Sequence, residues 1–271
     1  MSLLNRKIFW IDMKKLLLIG VVALFSLLPA SAQFTYGTTG LLHMPTADMQ
    51  RDKTFMFGGS HLNSHAMPSK WYYNTWNYYL NITIFPWLEF GYTLNLFSAE
   101  HLGVDKYGYS GFTNQDRNFS ARLRIWKEGW WKEWTPQIVA GVNDFTSGGE
   151  DYTHMAVAGD GNGYFNRYYI AATKHLSWYG DWGVHAAYVY NRRNLDKLNG
   201  VAVGVDYNFA LPATSTLNKA INGLNLMAEY DSKFFNIGAK YTLWKDHINI
   251  VGELRECKFP SVGVYFKVHL K

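Results

Sequence analysis

Cysteine is almost missing: Cys257 stands alone among 271 residues, so no disulfide can staple the chain to itself and no thiolate metal site can form. Seven prolines exclude a proline-rich linker or a collagen-like repeat. Charge is scarce too. The 17% of Asp, Glu, Lys and Arg falls below the roughly 25% of an average soluble domain and excludes a disordered or nucleic-acid-coating chain. A net charge of +5 suggests basicity, but Arg6, Lys7, Lys14 and Lys15 crowd into the first 32 residues against Asp12. Downstream of them the balance is close to neutral, so no nucleic-acid partner is expected. Beyond Leu28 no apolar run is long enough for a membrane helix.

Aromatic residues abound, with 11 Trp, 19 Tyr and 17 Phe. The N-terminal stretch reads Met13-Lys14-Lys15, an apolar run from Leu16 to Leu28, then Pro29-Ala30-Ser31-Ala32. That order of basic, apolar and small residues predicts a secretory signal peptide over 1–32, with 1–12 an unused upstream start. Residues 33–53 are expected to be a periplasmic lead-in, and 54–271 a barrel.

The prediction of a barrel rests on alternation with the period of a strand. In Trp76–Ile84 and Leu88–Leu96 large apolar residues occupy one phase and Asn, Thr, Gly, Tyr79 or Glu89 the other. About twelve such segments follow one another, at roughly 54–61, 75–85, 88–97, 118–127, 136–145, 165–175, 182–191, 200–209, 224–231, 234–244, 248–256 and 261–270. A soluble sandwich or small barrel also alternates. Trp and Tyr at segment ends (Trp87, Trp130-Trp131, Trp134, Trp178-Tyr179, Trp244) and long connections alternating with short ones favour a transmembrane antiparallel β-barrel with its apolar face outward to lipid. The alternation of lengths weakens at the long connection 210–223, where Pro212, Ser215 and Thr216 offer a capped start for a short helix, with a plain loop the alternative.

On this reading Glu89, Arg122, Arg124, Arg167, Tyr169, Asp206, Glu229, Lys240, Glu253 and Lys267 line the lumen, as do Tyr79, Tyr265 and the histidines 175, 185 and 269. Arg122 and Arg124 are expected to face Glu89, and Lys240 to face Glu253 if the Asp246-His247 turn sets that register. Arg at lumen-phase Asn236 is expected to be tolerated, whereas Arg at Leu226, Ile237 or Ile250 is not. No histidine pair has metal-ligand spacing and no nucleophile is placed beside a base, so neither metal, cofactor nor catalysis is expected. Gly148–Asp151 and Asp160–Gly163 are read as turns rather than calcium loops.

Two stretches point to a family. Thr39–Met49, containing Gly40 and Pro45-Thr46-Ala47, resembles the opening of YjbH-like outer-membrane proteins, which are associated with exopolysaccharide and capsule gene clusters. Ile84–Tyr92, with Pro86-Trp87-Leu88-Glu89, is similar to the hairpin that follows there. This chain is about half the length of the better-known members, so one barrel is expected where the resemblance implies two. Separately, Ser261–Val268, with Gly263, Phe266 and Val268, resembles the terminal-strand signal read by the barrel-assembly machinery. The resemblance implies a non-enzymatic outer-membrane barrel that serves polysaccharide export or assembly with surface polysaccharide and periplasmic components as partners. A small-solute porin, a barrel-embedded lipid-processing enzyme and an envelope scaffold are the alternatives. The Pro45–Ala47 motif is expected at the periplasmic mouth, as a docking or gating element or as a simple lead-in.

Overall fold

A computed structural model describes residues 33, 35–66, 74–96, 115–145, 165–191 and 199–270. The expected signal peptide and both glycine-acid motifs lie outside these residues. The alternating segments become β1 (Thr54–Leu62), β2 (Thr75–Phe85), β3 (Leu88–Leu96), β4 (Gln115–Trp126), β5 (Gln137–Asn143), β6 (Arg167–Ser177), β7 (Asp181–Tyr190), β8 (Gly200–Asn208), β9 (Leu224–Tyr230), β10 (Phe235–Leu243), β11 (Ile248–Arg255) and β12 (Phe259–His269). Each pairs antiparallel with its neighbour in sequence, and β12 pairs with β1 from Thr54↔His269 to His61↔Val262, closing the barrel. Closure leaves no strand edge unpaired, the condition for crossing a bilayer with strands.

The faces are inverted relative to a soluble barrel. On β2, Thr75, Asn77, Tyr79, Asn81 and Thr83 are buried, while Trp76, Tyr78, Leu80 and Ile84 are exposed. Leu123, Ile170, Val203, Leu226, Ile237, Ile250 and Val264 continue the apolar exterior around the barrel. At one end it is framed by rings in the turns, among them Trp130, Trp131, Trp134, Trp178, Tyr179 and Trp244. An apolar band bounded by aromatic rings, around a polar interior, is the solvation pattern of a membrane-spanning barrel.

The two ends differ. At the end where β1 starts and β12 stops, hereafter the terminal end, β2–β3, β6–β7 and β10–β11 are joined by tight connections. The opposite loop end carries the connections after β1, β3, β5 and β7. The asymmetry reverses in the last four strands. The loop-end turns 231–234 and 256–258 are short, and the long terminal-end connection before β9 holds a short helix α1 (Thr216–Ile221). Its start is capped as the sequence allowed, with the Ser215 side chain accepting the Asn218 N–H.

One expected register fails. The four-residue turn 244–247 joins Leu243 to Ile248, which pairs Lys240 with Val251 and Gly238 with Glu253. Lys240 and Glu253 are therefore two residues out of step.

Candidate functional site

Residues 33–53 are not a lead-in outside the barrel. The described part runs through the lumen, where Leu42, Met44, Thr46 and Ala47 are buried against the wall. The family-like motif forms a small hairpin, bridged Gly40↔Pro45 and closed by the Leu41 N–H donating to Met44 O (3.2 Å). Proline suits the bridge because its fixed φ costs no chain entropy there. We call this segment the plug.

The wall charges grip its backbone. The Glu229 carboxylate accepts the N–H groups of Leu42 (3.0 Å), His43 (2.8 Å) and Met44 (3.1 Å) at the hairpin tip. On the other side, Glu89 accepts from the Thr39 N–H (2.9 Å) and hydroxyl (2.8 Å), from Asn81 Nδ2 (2.7 Å) and from Arg122 Nη1 (3.0 Å). Arg122 Nη2 donates to the carbonyls of Thr46 (2.5 Å) and Asp48 (2.9 Å). Arg167 donates to His43 O (2.8 Å) and Gln33 Oε1 (2.7 Å), and its guanidinium lies 3.3 Å from the centroid of the Tyr36 ring. His43 Nε2 sits 2.7 Å from Glu253 Oε2. Around Glu89, Arg122 and Glu229, charged and polar groups buried together largely satisfy one another, which makes so polar an interior tolerable.

Apolar packing completes the fit. Leu41 and Leu42 lie against wall glycines. A Cβ on Gly204 would come within 2.6 Å of Leu41 Cδ1, and one on Gly238 within 2.6 Å of Leu42 Cδ2. A side chain at either position would require the leucine it meets to give way.

Toward the β1 end of the plug, Asp48 Oδ1 lies 3.2 Å from His175 Nε2, and Glu128 Oε2 holds His175 Nδ1 at 2.7 Å. Burial alone would raise the Asp48 pKa, but its bond to His175 and the charges of His175 and His185 outweigh that, holding it well below the usual carboxylate range. Burial likewise opposes ionisation of Glu128 in the β4–β5 turn, yet hydrogen bonds from His175 and Lys174 bring it down to about 2. Beside this pair, Thr173 Oγ1 contacts His185 Nδ1 (2.9 Å) and His185 Nε2 contacts Asp206 Oδ1 (2.8 Å). The chain has the residue order of a hydroxyl nucleophile, base and orienting acid. Its hydroxyl, however, accepts the plug's Ala47 N–H at 2.8 Å and is buried, so it serves as an anchor for the plug. Among the described residues no group of His, Cys, Asp or Glu is arranged to hold a metal ion.

Of the sequence-predicted lumen set, Glu89, Arg122, Arg167, Tyr169, Glu229, Lys240, Glu253 and Lys267 are buried inside and Asp206 is partly so. Arg122 pairs directly across from Glu89, whereas half-buried Arg124 faces Val139 and makes no ion pair with Glu89. Lys267 is held by Asp246 of the β10–β11 turn at 3.0 Å. Glu253 goes to His43 of the plug instead of Lys240. Asn236 is also fully engaged, donating to Glu229 (3.0 Å) and Asp231 (3.0 Å), so a large cation there is not the benign change expected from its phase. Pro45, Thr46 and Ala47 are buried against the inner wall, with the Thr46 and Ala47 backbone bonded to Arg122 of β4, Gln137 at the terminal-end start of β5 and Thr173 of β6. In β12, Gly263 faces inward against Ser60, and Phe266 and Val268 face outward, Phe266 stacking on Phe57 at 5.2 Å. What the sequence reading missed is the plug itself. The available signal was the run of inward-phase glycines, which leave room beside the wall charges for a further segment.

Fold and site together define a membrane β-barrel whose lumen is filled by its own N-terminal segment. Residues 32–236 match the family described as exopolysaccharide biosynthesis protein YbjH, and the chain belongs to this YjbH family. The two stretches that carried the resemblance meet inside the barrel, through Thr39 and Glu89. No curated protein matches the chain. Among solved structures it is similar to the outer membrane phospholipase A of Escherichia coli (11% identity, 81% of this chain and 97% of that one, TM-score 0.36). It is also similar to the calcium-bound outer membrane phospholipase dimer of Salmonella typhi (10%, 83% and 95%, TM-score 0.35) and to a mutant porin of Rh. blastica (10%, 80% and 99%, TM-score 0.29).

Proposed function

We propose that this barrel resides in the bacterial outer membrane, terminal end toward the periplasm, and acts there without catalysis in the export or assembly of an exopolysaccharide. The barrel-assembly machinery inserts it, lipid surrounds it, and periplasmic export components and the polysaccharide are its working partners. The observation that carries this reading is the Thr39–Glu89 contact. It joins the family's two motifs in one buried site, so that what the motifs share is plug closure rather than a reaction centre. A permanently open small-solute porin fits poorly with a lumen occupied by its own chain.

The test is deletion of the gene. Surface polysaccharide should fall, or polysaccharide should accumulate in the periplasm, with uptake of small solutes unchanged. Unchanged polysaccharide together with impaired solute uptake would overturn the reading in favour of a porin. Fractionation of the wild-type cell checks location, since the protein should sediment with outer membranes and shift its gel migration on heating.

A further inference from the structure

We propose that residues 35–50 are a displaceable gate, whose withdrawal toward the terminal end opens a hydrated, charge-lined passage through the barrel. The inference goes beyond the polysaccharide reading and does not depend on which solute passes.

It rests on how the wall is partnered. Most wall groups that bond to the plug also hold a second partner on the wall. Glu89 keeps Arg122 and Asn81, Glu229 keeps Asn236, and Arg167 keeps Asn143 Oδ1 at 2.7 Å. Thr173 keeps His185, and His175 keeps Glu128. A wall built for permanent filling has no need of these pairs, because apolar side chains would fill the same volume without the desolvation cost of buried ions. Departure of the plug leaves Glu89 paired with Arg122 and His175 with Glu128, while Glu229 and Arg167 stay hydrogen-bonded to Asn236 and Asn143 and open to water. Glu253 is the exception: its contact is to the plug's own His43, and water replaces it on opening.

The plug also lacks regular structure that would have to be broken. It has one bridge, Gly40↔Pro45, a few turn and side-chain bonds of its own such as Gln33 N–H to Thr38 O (2.8 Å), and many hydrogen bonds to the wall. On withdrawal the bonds to the wall exchange for bonds to water, so each one costs far less to release than its strength in isolation. Its downstream end is tied to the barrel, where the Leu270 N–H donates to Lys53 O at 2.8 Å, so the segment can leave the lumen and remain tethered.

The test uses the whole protein in planar lipid bilayers, reading ion current. Asp48→Asn removes the plug's charge contact with His175 and should raise the open fraction about tenfold, the effect of one charge-assisted hydrogen bond. A lock is available because Leu41 lies against Gly204. In a Cys257→Ser background, Leu41→Cys with Gly204→Cys should form a disulfide. The oxidised protein should be silent even with Asp48→Asn, and a reductant should restore the current in the same sample. Heat-dependent gel migration confirms the barrel in each variant. Equal current before and after reduction would overturn the gate, since passage would then not need the plug to move. So would absence of current from every folded variant, which would make the plug permanent. Because no polysaccharide enters the measurement, this failure is distinct from an unchanged polysaccharide phenotype.

Discussion

Thr39 and Glu89 are joined twice, by the Thr39 N–H at 2.9 Å and its hydroxyl at 2.8 Å, and the same carboxylate neutralises Arg122. Removing Glu89 therefore does more than release the plug. Glu89→Ala leaves a buried guanidinium unpaired and should destabilise the barrel by about 3–5 kcal/mol, whereas Thr39→Val should cost about 1 kcal/mol. Reversible urea unfolding in micelles measures both. Equal costs would mean that Glu89 does not support Arg122.

The fit of the hairpin tip predicts a paired effect. Gly204→Leu should cost about 1–3 kcal/mol by overpacking against Leu41, and should make the segment around Met44 accessible to protease. Leu41→Ala in the same chain should recover a good part of that loss, because it vacates the volume the new side chain enters. Additive losses in the double variant would place the two side chains apart.

The exterior predicts depth-dependent costs. Arg in place of Ile237 or Ile250 should cost about 2–4 kcal/mol near the bilayer midplane. Lys174, partly exposed toward the terminal end and bonded to Glu128 at 2.8 Å, should accept Arg with a change under about 0.5 kcal/mol. Equal tolerance at both sites, measured in vesicles, would contradict the assignment of the lipid face.

Acid should loosen the plug's downstream end. Both carboxylates there have folded pKa values below their unfolded ones, Asp48 against 3.8 and Glu128 at about 2 against 4.5. Their stabilisation is complete above about pH 5, and protons that bind the released form preferentially remove it as the pH falls toward 2. Hydrogen exchange at the Ala47 amide should accelerate over that window. Asp48→Asn with Glu128→Gln should flatten the acid limb. An Ala47 exchange rate that follows only the intrinsic chemical dependence on pH would show that these groups do not hold the plug.

Alternation in segments such as Trp76–Ile84 determined strand number, strand position and the outward direction of large side chains. A two-residue period assigns faces from adjacent residues alone, and lipid demands one apolar face. The same reasoning placed Glu89, Arg122, Arg167 and Glu229 on the interior. The Lys240–Glu253 register was not legible, since it depended on whether the turn after Leu243 holds two residues or four. Nor was the destination of residues 33–53. Their contacts with Glu229 span more than 180 positions, and the segment has no periodicity to announce them. A short irregular stretch takes its conformation from the surface that receives it. That surface, two leucines against Gly204 and Gly238 with carboxylates aimed at backbone N–H groups, comes into being only when twelve strands close into a ring.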